Sequence, residues 1–256
     1  MTVVFTAAGV TVAVYMSCIF LVAIALKDNS VVDIAYGGAF IAAVTAAGLV
    51  SWTGHPRQFL VTGMITLWGL RLAVHLFTRS RGRGEDFRYR KWREEWGSYF
   101  LIRSFFQIYL LQGTVVLIVA SPALMVMASP GPGLGLLDAA GVGIWTLGFI
   151  FEALGDWQLL VFKKDSGNRG KIITHGLWRY SRHPNYFGEC TLWWGVYLVA
   201  LGSPGALWTA VSPLTINFLL LYVSGIPMLE KKYKGDPAFE EYKRRTSPLI
   251  PWFPRA

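Results

Sequence analysis

Residues 179–189 read Arg-Tyr-Ser-Arg-His-Pro-Asn-Tyr-Phe-Gly-Glu and run without a break into the apolar stretch Cys-Thr-Leu-Trp-Trp-Gly-Val-Tyr-Leu-Val-Ala, 190–200. A basic and aromatic turn opens straight into a membrane-type helix. Pro184 suits the first turn of that helix, and Ser181 or Asn185 suits its cap. The unpaired N–H groups of a helix start attract anions, and Arg179, Arg182 and His183 add to that attraction. Asn185 and Glu189 are four residues apart and share one helical face, with Gly188 between them admitting a close neighbour. A glutamate one turn inside a membrane helix is a functional candidate.

The rest of the chain has the same character. Of its 256 residues 54% are hydrophobic, and the mean hydropathy is +0.42. This predicts an all-α membrane protein with seven transmembrane helices, near 2–26, 33–50, 59–78, 104–128, 139–162, 188–202 and 207–227. The first stretch reads as a retained helix, because no small-residue cleavage site follows it. One polytopic domain is expected over 1–256, its N-terminal half lining a substrate cavity and 150–256 carrying most of a cofactor site. Cys18 and Cys190 both fall in apolar stretches, which argues against a disulfide framework.

The formal net charge of +9 is unevenly placed. Eight Lys/Arg lie in 79–103, six in 163–187 and seven from 228 onward, whereas 51–58, 129–138 and 203–206 hold only Arg57. The positive-inside rule then puts the N-terminus outside and the C-terminus in the cytoplasm. The basic side fits anionic lipid or a phosphate-bearing cofactor. It does not favour nucleic acid, because the charges sit against a membrane. The 129–135 stretch Ser-Pro-Gly-Pro-Gly-Leu-Gly is a turn, lacking both the spacing and the preceding strand of a dinucleotide fingerprint. No P-loop, zinc pattern or nucleophile elbow occurs, so a nucleotide would have to bind between membrane helices and loops. Residues 81–98 and 235–254 each read as a short interfacial helix.

Ionisable residues at membrane depth are few. Asp33 opens the second stretch, with Tyr36 one turn later. Arg71 and His75 share a face of the third, and Glu152, Asp156 and Lys163 share a face of the fifth. Together with Asn185 and Glu189 they predict one buried polar cavity. No metal site is predicted.

The segment Gly-Leu-Trp-Arg-Tyr-Ser-Arg-His-Pro-Asn-Tyr-Phe-Gly-Glu, 176–189, resembles the C-terminal signature of the steroid 5-alpha-reductase family, and most closely its bacterial membrane branch. Val-Asp-Ile-Ala-Tyr-Gly (32–37), Arg-Ser-Arg-Gly-Arg-Gly-Glu-Asp (79–86), Gly-Asp-Trp-Gln (155–158) and Gly-Ile-Pro-Met-Leu-Glu-Lys-Lys-Tyr (225–233) support the likeness. The resemblance implies NADPH as cofactor and reduction of a carbon–carbon double bond conjugated to a ketone, as in a 3-oxo-4-ene steroid. It implies that Asn185 and Glu189 lie at the nicotinamide. Asp156, Lys163 and Lys171 match positions at the ribose and phosphates, and Tyr180 and Tyr233 match cofactor-contacting tyrosines. Arg71 and Arg83 match cofactor arginines, and Arg182 and His183 belong to the same set. Asp33 and Tyr36 are the candidates for polarising the substrate carbonyl. An apolar, steroid-like substrate and the lipid bilayer are the expected partners, with no obligatory protein partner and a bacterial inner membrane as location. Glu152 departs from the family pattern, where eukaryotic members have Asn. A second family shares an Arg-His-Pro-x-Tyr-x-Gly motif: the isoprenylcysteine carboxyl methyltransferases, which bind S-adenosylmethionine and often carry a late glutamate, as Glu230 stands here.

Overall fold

The computed structural model describes residues 1–82 and 84–255. Secondary structure among them is helical, apart from an isolated bridge between Ser181 and Ser247. Eight longer helical runs follow one another, with 3₁₀ turns at Ser166–Asn168 and Gly176–Arg179 between the fifth and sixth: α1 (Thr2–Leu26), α2 (Val31–Ser51), α3 (Pro56–Ser80), α4 (Phe87–Ala128), α5 (Leu136–Lys164), α6 (Pro184–Ala200), α7 (Ala206–Lys231) and α8 (Pro237–Arg245). Six of them, α1 to α5 and α7, are long and apolar enough to cross a membrane. The remaining apolar stretch, expected near 188–202, is helical as α6 over 17 residues, at the lower edge of the roughly 17–25 that span a bilayer. These helices suit an integral multi-pass membrane protein, in which every backbone polar group at depth must be satisfied within its own segment.

Local chemistry sets the ends. Lys27 terminates α1 in the left-handed conformation (φ 54°), its N–H returning to Ala23 and Ile24. Pro56 starts α3 behind His55, whose Nδ1 accepts the Arg57 N–H at 3.1 Å. Asp86 caps α4 by accepting the Arg88 N–H, and Asp236 caps α8 by accepting the N–H groups of Ala238 and Phe239. The expected interfacial helix in 81–98 is present as Phe87–Trp96, but it does not stand apart. It continues through a 3₁₀ turn and a π-helical stretch, Phe105–Leu110, into Leu111–Ala128. A second π-helical stretch, Leu219–Val223, interrupts α7 before Gly225. Such insertions mark places where a helix is locally rewound.

The chain divides into two compact units: Met1–Asp138 with Val199–Ser212, and Ala139–Leu198 with Pro213–Ala256. In the first, α2 and α3 meet at Gly37 and Gly69, where a Cβ on either glycine would strike the other's backbone. Arg57, 1% exposed, organises one end of this unit. Its Nε and Nη2 donate to Asp138 at 2.7 and 2.9 Å, and further N–H groups reach the carbonyls of Pro130, Pro132, Gly133 and Gly202. In the second unit α5 and α6 run antiparallel at close range. Gly148 and Gly188 face each other, Gly195 lies on the backbone of Trp145 and Gly141, and Gly155 lies on Asn185.

Candidate functional site

The glycine-lined crossing in the second unit decides which polar groups meet. A Cβ on Gly188 would overlap the backbone of Glu152, and one on Gly155 would press on Asn185. Glu152 and Asp156, 3% and 9% exposed, are therefore brought beside the first turn of α6. Asn185 Nδ2 donates to Asp156 Oδ1 at 3.0 Å. Asn185 Oδ1 is buried with no hydrogen-bond partner among the described residues. Glu189 follows one turn later on the same face and is half-buried.

The turn leading into α6 is held from two sides. Leu177 N–H donates to Gln158 Oε1 at 3.0 Å, and Trp178 Nε1 donates to the Gly155 carbonyl at 3.1 Å. Gly176, at φ 62°, leaves room for the Gln158 amide. From the other side, Tyr242 donates its hydroxyl to the Trp178 carbonyl, and Ser181 Oγ donates to the Leu249 carbonyl at 2.7 Å.

Arg182 and His183, 7% and 5% exposed, converge on Glu230. Arg182 Nε donates to Glu230 Oε1 at 2.9 Å, and His183 Nε2 lies 3.1 Å from the same oxygen. Arg182 also donates to the carbonyls of Lys243 and Thr246. In the neutral imidazole a carboxylate at Nε2 holds the proton there and leaves Nδ1 an acceptor; in the imidazolium both nitrogens donate. His183 Nδ1 is buried and, like Asn185 Oδ1, has no partner among the described residues. The His183 ring stacks on Tyr186, centroids 5.4 Å apart. A buried amide oxygen and a buried imidazole nitrogen two residues apart in sequence suit a ligand that brings hydrogen-bonding groups, such as a carboxamide or a sugar hydroxyl.

The remaining expected cofactor residues of this unit lie farther out. Lys163, at the end of α5, and Lys171 are exposed. Tyr180 is 37% exposed and meets Phe253 edge-on. Tyr233 stacks on Phe239 at 5.0 Å.

In the first unit, Asp33 lies in the opening turn of α2. Its Oδ2 accepts from Arg88 Nη2 and its Oδ1 from the Tyr89 hydroxyl, both at 2.7 Å. Tyr36 packs edge-on against Phe40. Arg71 lies on α3 two residues past Gly69, the residue that meets Gly37. Arg83 lies outside the described residues. The turn before α2 is tied to the start of α4 as well. Asn29 N–H donates to Glu85 at 2.9 Å, Tyr109 donates to Asn29 Oδ1 at 2.6 Å, and Asp86 N–H donates to Ser30 Oγ at 2.7 Å.

Sequence reasoning did not identify Arg88 and Tyr89 as partners of Asp33, nor Glu230 as the partner of Arg182 and His183. The signal available was compositional: a buried Arg-His pair needs a carboxylate, and Glu230 is the acid flanking the last apolar stretch.

A family model described as "Protein of unknown function", DUF1295, matches residues 19–246. A Schizosaccharomyces pombe protein described as uncharacterized is 28% identical over 179 residues, covering 60% of this chain and 52% of its own length. The chain thus spans about half the length of the curated relative it matches. No solved structure matches.

Proposed function

The chain belongs to the DUF1295 family, and from that premise we propose that it is a membrane-embedded, NADPH-dependent reductase. Its substrate would be a 3-oxo-4-ene steroid or a similar lipid enone, reduced at the carbon–carbon double bond. The observation that carries the reading is a pair of buried polar atoms without hydrogen-bond partners among the described residues, Asn185 Oδ1 and His183 Nδ1. They sit in the segment whose residues resemble the steroid 5-alpha-reductase signature. Asn185 Oδ1 suits the carboxamide N–H₂ of a nicotinamide. Asp156 fixes the Asn185 amide so that its oxygen stays an acceptor, and suits ribose hydroxyls itself. Lys163 and Lys171 carry charge appropriate to phosphates, and Arg71, Arg83, Tyr180, Arg182, Glu189 and Tyr233 complete the proposed cofactor set.

NADPH, when bound, supplies the hydride. What the protein must add is a donor at the carbonyl oxygen, where negative charge develops. We assign that donor to the Tyr36 hydroxyl. Asp33, whose two oxygens accept from Arg88 and Tyr89, acts as a positioning residue for the first turn of α2. Apolar helices keep water away and admit a lipid-soluble substrate from the bilayer. We further propose that α6 spans as the seventh helix, with the N-terminus outside and the C-terminus in the cytoplasm of a bacterial cell.

A second reading, S-adenosylmethionine-dependent methyl transfer, is favoured by one observation: Glu230 is bonded to both Arg182 and His183 of the shared motif. Native mass spectrometry of the detergent-purified protein separates the two. Bound NADPH or NADP⁺, together with enone-dependent loss of absorbance of the reduced nicotinamide, supports the reductase. Bound adenosylmethionine or its demethylated product moves the function to methyl transfer. Absence of any nucleotide, with no enone-dependent oxidation of added NADPH, removes the reductase reading.

A further inference from the structure

The end of the chain folds back along the turn at 179–182. Arg182 N–H donates to the Ser247 carbonyl at 2.8 Å, Trp252 N–H to Tyr180 at 2.9 Å and Arg255 N–H to Arg245 at 2.9 Å. Residues 246–255 thereby form a strap beside α8. Against it lies a cavity of about 170 Å³ whose lining includes Arg182, Lys243, Arg244, Arg245 and Arg255. That volume holds a phosphate group but is small beside the roughly 300–1,000 Å³ of pockets for whole small molecules. Two carboxylates pair with these cations. Glu230 takes Arg182 and lies 4.0 Å from Lys243, and Glu241 takes Arg244 and lies 3.8 Å from Arg245. Arg255 has no ion pair among the described residues. Five cations against two carboxylates leave the cavity strongly positive.

The strap also carries exposed apolar side chains: Ile250, Trp252 and Phe253 are 64%, 70% and 77% exposed. A site for a soluble anion gains nothing from three apolar side chains in water. A site for a lipid headgroup does, because acyl chains lie beneath the phosphate and tryptophan favours the membrane interface. The chain supplies that membrane itself, with six helices long and apolar enough to cross it.

We propose that the α8–strap segment, 243–255, binds the phosphate headgroup of an anionic phospholipid, its arginines around the phosphate and Ile250, Trp252 and Phe253 seated in the interface. The proposal does not rest on the reductase reading, although Arg182 belongs to both residue sets, and it is measured without nucleotide. Full-length protein in detergent is offered equal amounts of phosphatidylglycerol and phosphatidylcholine, and retained lipids are counted by native mass spectrometry. Each basic residue near an anionic surface contributes roughly fivefold, so the wild type should prefer phosphatidylglycerol by more than about tenfold. R245Q/R255Q should bring the ratio toward unity, and I250S/W252S/F253S should weaken retention of both lipids. Inorganic phosphate should displace neither. Equal retention by the wild type, an unchanged preference in a folded R245Q/R255Q, or displacement by inorganic phosphate overturns the proposal. If the double variant does not fold, R255Q alone, at the exposed end of the strap, must still lower the preference.

Discussion

Arg57 shows how much one side chain can hold at the residue scale. It is the lone Lys/Arg of 51–58, 129–138 and 203–206, and it is buried against Asp138 and four backbone carbonyls. Arg57→Ala leaves Asp138 uncompensated and should cost about 3–5 kcal/mol, read as a large drop in melting temperature in detergent. Arg57→Lys should not restore it, since an ammonium cannot reproduce the fork of N–H donors. Asn185→Ala should weaken NADPH about tenfold, the cost of one hydrogen bond to a buried partner, with helix content unchanged. Tyr36→Phe should lower turnover with little effect on NADPH affinity, and unchanged turnover would remove Tyr36 from the carbonyl. Asp86 provides a pH signature. Burial pushes its carboxyl up, but hydrogen bonds from the Arg88 side chain and backbone outweigh this and hold it below the usual carboxylate range. A depressed folded-state pKa contributes stability above the unfolded value of about 3.9 and loses it as pH falls through the lower folded value. Asp86→Asn should therefore lower stability at neutral pH, where the contribution is present, and flatten the acid limb of the stability curve below about pH 4.

Glycine spacing governs the scale of elements. Gly141, Gly148 and Gly155 on α5, and Gly188 and Gly195 on α6, recur every seven residues. They let the two backbones touch with Glu152 and Asp156 beside Asn185. Gly148→Leu or Gly188→Val must push these helices apart. Overpacking of this kind costs about 1–3 kcal/mol, and here it should also abolish nucleotide retention, because the Asn185–Asp156 contact sits in the same crossing. Retained nucleotide in a folded Gly188→Val protein would show that the crossing does not build the site. Helix positions were legible in the sequence, since apolar runs and Pro, Asp and Lys punctuation are local signals. The junction that makes Phe87–Ala128 continuous was not, because 3₁₀ and π-helical turns leave no compositional mark.

For the molecule as a whole, charge asymmetry and helix number together make a topology prediction. If α6 crosses the bilayer with the six longer helices, the two termini lie on opposite faces. If it does not, they lie on the same face. Accessibility of single cysteines placed at each end to a membrane-impermeant thiol reagent, in a background lacking Cys18 and Cys190, decides this, with the C-terminal position expected to be protected in intact cells.

The sequence by itself determined that this is a helical, multi-pass membrane chain, roughly where its apolar helices lie, and which residues form a basic motif at the start of α6. These follow from hydropathy and from side-chain chemistry acting within a few residues. Only the tertiary structure decided that Glu230 closes on Arg182 and His183, that Arg88 and Tyr89 hold Asp33, and that Asn185 meets Asp156 with its carbonyl oxygen buried beyond any partner among the described residues. The members of each set lie 29 to 56 residues apart in sequence. Such pairings depend on which helices can approach closely and on the demand that a buried polar group find a partner, and both are settled only once the helices have packed.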